Sequence, residues 1–87
     1  MTASLLALST GHYSLEFEPS DMPSVKATIL DQFGRPEIQQ YGFSAEYRFG
    51  GSSFTFQGEW DEPCFISDSD SGDDILRTIY QVLSAER

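Results

Sequence analysis

Alternating apolar and polar residues predict β-strands over most of the first seventy positions. Tyr13, Leu15 and Phe17 alternate with polar residues, which is the period of a half-buried strand, and the same period returns further along the chain. The pattern predicts strands at 13–17, at 25–31, at 37–49 with a bend at Gly42, after residue 51, and briefly at 64–66.

Turn signals separate these segments. Gly50-Gly51 between two alternating runs is typical of a β-hairpin. Near the N-terminus, a short apolar run at residues 5–8 is compatible with either a strand or a helix. Residues 9–12 follow it and read as another hairpin turn, with Gly11 supplying a positive φ.

The period changes to that of a helix near the C-terminus. Apolar residues share one helical face there, namely Ile75, Leu76, Ile79, Tyr80, Val82 and Leu83. Ser71 and Asp74 have the spacing of a capping box, and acidic residues favour the positive end of the helix dipole. These features predict a helix at about residues 73–85.

Together the two periods predict an α+β fold. We expect one small domain spanning residues 1–87, built as an antiparallel β-meander of four to six strands with one C-terminal helix packed on the sheet. In this arrangement Leu76, Ile79 and Leu83 pack against the aromatic face of the sheet, which comprises Tyr41, Phe43, Phe54 and Phe56.

The net charge of the chain says more about its function than any sequence motif does. Fourteen acids face five bases, so the formal net charge is −9. Such a chain is repelled by nucleic acids and anionic membranes and is attracted to basic protein surfaces. The alternative is that the acidity only keeps the protein soluble. A single cysteine, Cys64, and an N-terminus without a signal-peptide pattern lead us to expect a cytoplasmic protein.

Residues that could carry chemistry are few. His12 is the only histidine, no activated nucleophile can be argued around it, and Cys64 reads as a half-buried structural thiol. The acidic run from Asp68 fails as a calcium loop of the EF-hand type, because Gly72 falls at its fifth position and Ile79 at its twelfth. We therefore expect no enzyme activity, no cofactor and no metal.

The acids are instead concentrated where a partner could dock. Half of them lie between residues 59 and 74, a segment with no lysine or arginine, and aromatic residues are interleaved with them. A dense group of carboxylates beside aromatic anchors suits a partner rich in arginine and lysine. The predicted partner-binding residues are Glu59, Trp60, Asp61, Glu62, Asp68, Asp70, Asp73 and Asp74.

The chain resembles phage-encoded anti-CRISPR proteins and other DNA-mimic inhibitors in its short length, its single domain, its high negative charge and its lack of a set of catalytic residues. The similarity is one of type, with no shared motif. It implies an inhibitor that occupies a basic, nucleic-acid-binding surface of another protein or complex, without contacting nucleic acid or membrane itself. Two alternatives remain open, namely an immunity protein or antitoxin against a basic toxin, and a small structural or assembly subunit of a larger complex.

Overall fold

The computed structural model describes residues 3–42, 44–58 and 63–85. Within them the chain forms strands and helices in the order β1 Ser4–Ala7, β2 Tyr13–Glu16, α1 Met22–Phe33, β3 Glu37–Tyr41, β4 Ser44–Phe49, β5 Ser52–Gln57, β6 Cys64–Ser67 and α2 Asp70–Ala85. A short 3-10 turn at Pro19–Asp21 leads into α1.

All strand pairs are antiparallel, and the strand order across the sheet is β1-β2-β6-β5-β4-β3. Neighbours in the sheet are also neighbours in sequence, except where β6 returns to pair with β2. The α+β class, the antiparallel sheet of six strands and the C-terminal helix packed on it are therefore confirmed. The segment at residues 5–8, left open above, belongs largely to β1.

The core lies between one face of the sheet and α2. Leu76, Ile79 and Leu83 of the helix have no exposed surface, and they belong to the same buried cluster as the aromatic residues of the strands. Phe49 and Phe54 stack with their ring centroids 4.5 Å apart, on the neighbouring strands β4 and β5. The predicted match between an apolar helical stripe and an aromatic sheet face is confirmed for these residues.

Helix α2 begins three residues earlier than predicted, and its cap is Ser69 rather than Ser71. The Ser69 hydroxyl accepts a hydrogen bond from the Gly72 backbone N–H at 3.0 Å. Gly72 permits the close approach of this first turn to β6, since a Cβ at that position would lie 2.5 Å from the Ser67 hydroxyl.

The predicted strand at residues 25–31 is wrong, because this segment lies inside α1. Val25, Thr28 and Ile29 are buried and share one helical face, so the apparent period of two was a coincidence of spacing. The end signals were present in the sequence. Pro23 lies in the first helical turn, and Gly34 ends the helix with a φ of 86°.

The predicted single strand at 37–49 is also wrong, because the chain reverses at Gly42 instead of bending. Tyr41 pairs with Ser44 across a two-residue turn, and Gly42 has a φ of 59°. Tyr41 therefore shares a face with Ser44 rather than with Ala45. Its side chain is 51% exposed, so its predicted place in the core is wrong as well. Phe43 lies outside the described residues.

The remaining turns follow the sequence pattern. Hairpins join β1 to β2 and β4 to β5, the latter through Gly50 and Gly51, and Cys64–Ser67 forms the short last strand. In the described ranges, neither helix is long and apolar enough to cross a membrane. Helix α2 covers β1, β2, β6 and β5, and α1 packs beside α2. The opposite face of the sheet carries no helix from the described parts of the chain.

Candidate functional site

Three of the predicted partner-binding residues lie exposed where β6 runs into α2. Asp68 follows the last residue of β6, Asp70 begins α2, and Asp74 lies one turn later. We call these three residues the acidic patch. Glu59, Trp60, Asp61 and Glu62 lie outside the described residues, so their predicted role stays a prediction.

Charge compensation differs within the acidic patch. The Asp74 carboxylate accepts a hydrogen bond from the Arg77 guanidinium at 2.9 Å, three residues along the helix. Asp68 and Asp70 form no ion pair with any residue in the described ranges. These two carboxylates therefore carry the negative charge of the patch that lies outside any ion pair, although a ring nitrogen of His12 lies within 4.8 Å of an Asp70 carboxylate oxygen.

Asp73 has a different environment from its neighbours. Only 8% of the residue is exposed, because its side chain points towards the β1–β2 hairpin. One carboxylate oxygen accepts the Tyr13 backbone N–H at 3.0 Å, and the other lies 2.9 Å from Nδ1 of His12. Both oxygens therefore form hydrogen bonds within the protein. These bonds connect the β1–β2 hairpin to the first turns of α2.

The same contacts shift the acidities of both partners. The hydrogen bond to Asp73 raises the pKa of His12, partial desolvation opposes this, and the charges of Asp73, Asp70 and Asp68 raise it further. Burial alone would raise the pKa of Asp73. The hydrogen bonds from His12 and from the Tyr13 backbone outweigh burial, so the pKa of Asp73 lies below its usual value.

His12 also brings three potential metal ligands together. A ring nitrogen of His12 and carboxylate oxygens of Asp70 and Asp73 lie within 4.8 Å of one another. The hydrogen bonds of Asp73 account for its approach to His12 without an ion. Sequence reasoning missed the cluster because His12 and Asp73 are 61 positions apart, and no local pattern connects them.

A shallow depression opens on the uncovered face of the sheet, beside Asp68. Its volume is about 260 Å³. Polar groups suited to a cation line it, contributed by Tyr41, Ser44, Glu46, Ser53, Thr55 and Asp68. We call this feature the sheet depression. It joins the acidic patch through Asp68, so a partner on the patch also has access to the sheet face.

Glu46 is the second carboxylate of the sheet depression, and it is already paired. The Arg48 guanidinium donates hydrogen bonds to its two oxygens at 3.0 and 3.4 Å, and the Tyr41 hydroxyl donates another at 3.4 Å. The hydrogen bond from Arg48 outweighs desolvation and lowers the pKa of Glu46. Glu46 therefore stays ionised, while Asp68, the other lining carboxylate, forms no ion pair with the residues that the structure describes.

Comparison with known proteins adds no family to these observations. No protein-family model, curated protein or solved structure matches the chain. The geometry of the acidic patch and of the sheet depression is therefore the basis for a functional hypothesis.

Proposed function

We propose that this protein is a non-catalytic inhibitor whose acidic patch occupies a basic, nucleic-acid-binding surface of another protein. One observation carries the proposal. Asp68 and Asp70 are exposed, two positions apart and outside the ion pairs of the described residues, in a chain of net charge −9. Exposed and uncompensated carboxylates are the groups that arginine and lysine side chains bind in place of phosphates.

The sheet depression supports the same kind of partner. An arginine side chain entering beside Asp68 meets a free carboxylate, the hydroxyls of Ser53 and Thr55 as flanking polar groups, and the exposed ring of Tyr41. A guanidinium can bind a carboxylate in two places at once and stack on an aromatic face. We therefore assign an arginine, rather than a lysine, to this position.

Within the proposed surface, the three aspartates of α2 have unequal roles. Asp70 contributes an exposed charge at the start of the helix, outside the ion pairs of the described residues. Asp74 contributes less, because Arg77 already offsets its charge. Asp73 stabilises the fold, because both of its carboxylate oxygens are engaged by the hairpin.

The experiment is competitive capture of a partner from cells of the organism that encodes the protein. The tagged chain is used as bait, beside a patch variant (Asp68→Lys with Asp70→Lys) and a control of equal net charge (Glu18→Lys with Asp31→Lys). Glu18 and Asp31 are exposed, and neither lines the sheet depression. Circular dichroism first establishes that both variants are folded.

We expect a basic partner that is captured by the wild-type chain and by the control, is lost with the patch variant, and is displaced by added nucleic acid. A partner retained by the patch variant, or one that nucleic acid does not displace, contradicts the proposal. A captured toxin that does not bind nucleic acid would instead support the immunity-protein alternative.

A further inference from the structure

Strand β3 forms an open edge of the sheet. It is the last strand in the order, every one of its five residues is exposed, and β4 is its strand neighbour in the described ranges. An edge strand presents backbone N–H and C=O groups that can pair with another strand. Ile38 is 50% exposed and Tyr41 is 51% exposed, so this edge also offers apolar surface.

The two hairpins beside β3 determine which backbone groups point outwards. A two-residue turn is closed by a hydrogen-bonded pair, which is Tyr41 with Ser44 in one hairpin and Phe49 with Ser52 in the next. Pairs alternate between bonded and non-bonded along an antiparallel ladder. Both hairpins give the same alternation, in which Ile38 and Gln40 direct their N–H and C=O groups away from β4.

We propose that β3 pairs antiparallel with β3 of a second copy of this chain, about a two-fold axis at Gln39. In this register Ile38 of each copy lies opposite Gln40 of the other, and the two residues exchange both backbone hydrogen bonds. Glu37 lies opposite Tyr41 on the uncovered face, so these two side chains become cross-strand neighbours in the interface. The two Gln39 side chains meet at the axis as amide donor and acceptor.

The distribution of charge favours a second copy at this edge over the other edge. Around β3 the charged residues are balanced, with Arg35 and Arg48 beside Glu37 and Glu46, although the chain as a whole is strongly acidic. Two copies therefore meet at β3 with little repulsion. On the opposite side, β1 pairs with a strand that carries Glu16, and β1 has no basic residue to balance it.

The interface is small. A strand of five residues extends over only ~17 Å, so pairing along this edge buries less than a standard protein interface. We therefore expect a weak dimer that dissociates on dilution. Because the interface is nearly neutral, its stability should depend little on salt, in contrast to binding at the acidic patch.

Sedimentation velocity over a wide range of protein concentration tests this proposal. The wild-type chain should show a reversible monomer–dimer equilibrium. Ile38→Lys should weaken the dimer about tenfold, because it removes two symmetric side-chain contacts and adds two charges at the edge. Leu6→Lys is the matched control on the other edge strand, where Leu6 is 41% exposed, and it should leave the equilibrium unchanged.

A second variant, Gln40→Pro, removes an outward N–H and should also prevent pairing, because proline is tolerated at an edge but cannot donate. Circular dichroism confirms that each variant is folded. A monomer at all concentrations contradicts the proposal. A strand from another protein would then be the remaining candidate for pairing with β3. A dimer that Leu6→Lys disrupts while Ile38→Lys does not also contradicts it, and would assign the interface to β1.

Discussion

Replacing Asp73 with alanine should destabilise the fold far more than replacing its neighbour Asp74. Asp73→Ala removes the acceptor of the partly buried Tyr13 N–H and the partner of His12. A backbone donor left without an acceptor costs about 1–3 kcal/mol, and partial exposure of this site places the cost at about 1–2 kcal/mol. For a domain of this size, that corresponds to a fall in Tm of about 4–16 °C.

Asp74→Ala is a control that differs by one position. Both substitutions remove one negative charge from the first turns of α2, so their effects on the helix dipole are similar. Asp74 is exposed and pairs only with Arg77 three residues away, a contact that contributes about 0.2–0.5 kcal/mol. Its loss should lower Tm by about 1–4 °C.

Thermal unfolding at neutral pH, followed by circular dichroism, distinguishes the two substitutions. Urea unfolding of the same variants provides the free energies directly. Equal melting temperatures for Asp73→Ala and Asp74→Ala would contradict the claim that the hydrogen bonds of Asp73 to the hairpin stabilise the fold. Asp73 would then remain a candidate contact for the partner, as the sequence predicts.

Three further predictions follow from the core and from the acidic residues. Ile79→Ala should cost about 2–4 kcal/mol in urea unfolding because Ile79 is fully buried, whereas Leu30→Ala on the exposed side of α1 should cost little. Since the pKa of His12 is raised above 6.5, its contribution to stability is complete below that value and is lost as pH rises through the folded-state pKa. His12→Ala should therefore flatten the fall in Tm between mildly acidic and mildly alkaline pH. Calorimetric titration with calcium should show only weak, non-saturating heat, and a micromolar saturable site would contradict the interpretation of residues 68–74 as a capped helix start.

Local patterns predicted the parts of this fold that local interactions determine. The apolar stripe of α2 runs from Ile75 to Leu83, about two and a half helical turns, with acidic residues before it. The Gly50-Gly51 turn has a backbone conformation with positive φ at both residues, which glycine adopts readily. These two features were sufficient for the fold class and for the packing of the helix on the sheet.

The two wrong strand predictions have a common cause, which is that the hydrophobic pattern of a short segment does not determine its structure. The run from Val25 to Ile29 fits a strand as well as a helix, and its packing beside α2 decides in favour of the helix. Tyr41 lies on the opposite face of the sheet from Ala45 because a two-residue turn at Gly42 reverses the chain. A bend within one strand would have kept both side chains on the same face. Neither outcome can be obtained from alternation alone.

For the candidate site, sequence identified the concentration of charge but not its arrangement. Asp70, Asp73 and Asp74 look equivalent in the chain. In the fold Asp70 is exposed, Asp73 is buried against the β1–β2 hairpin, and Asp74 is paired with Arg77. What separates them is the His12 hairpin, 61 positions away from Asp73, and the position of Arg77 one turn along the helix. Contacts of this kind arise only once the chain has folded.

The most direct measurement of the docking surface is the affinity of the chain for an arginine-rich peptide, followed by fluorescence anisotropy at several salt concentrations. The variants are the double reversal Asp68→Lys with Asp70→Lys and the control Glu18→Lys with Asp31→Lys, which have the same net charge. If the acidic patch is a localised docking surface, the first should weaken binding about tenfold and reduce its salt dependence, while the control remains close to wild type. Equal losses for the two variants would show that the peptide responds only to net charge, and would contradict a docking role for Asp68 and Asp70.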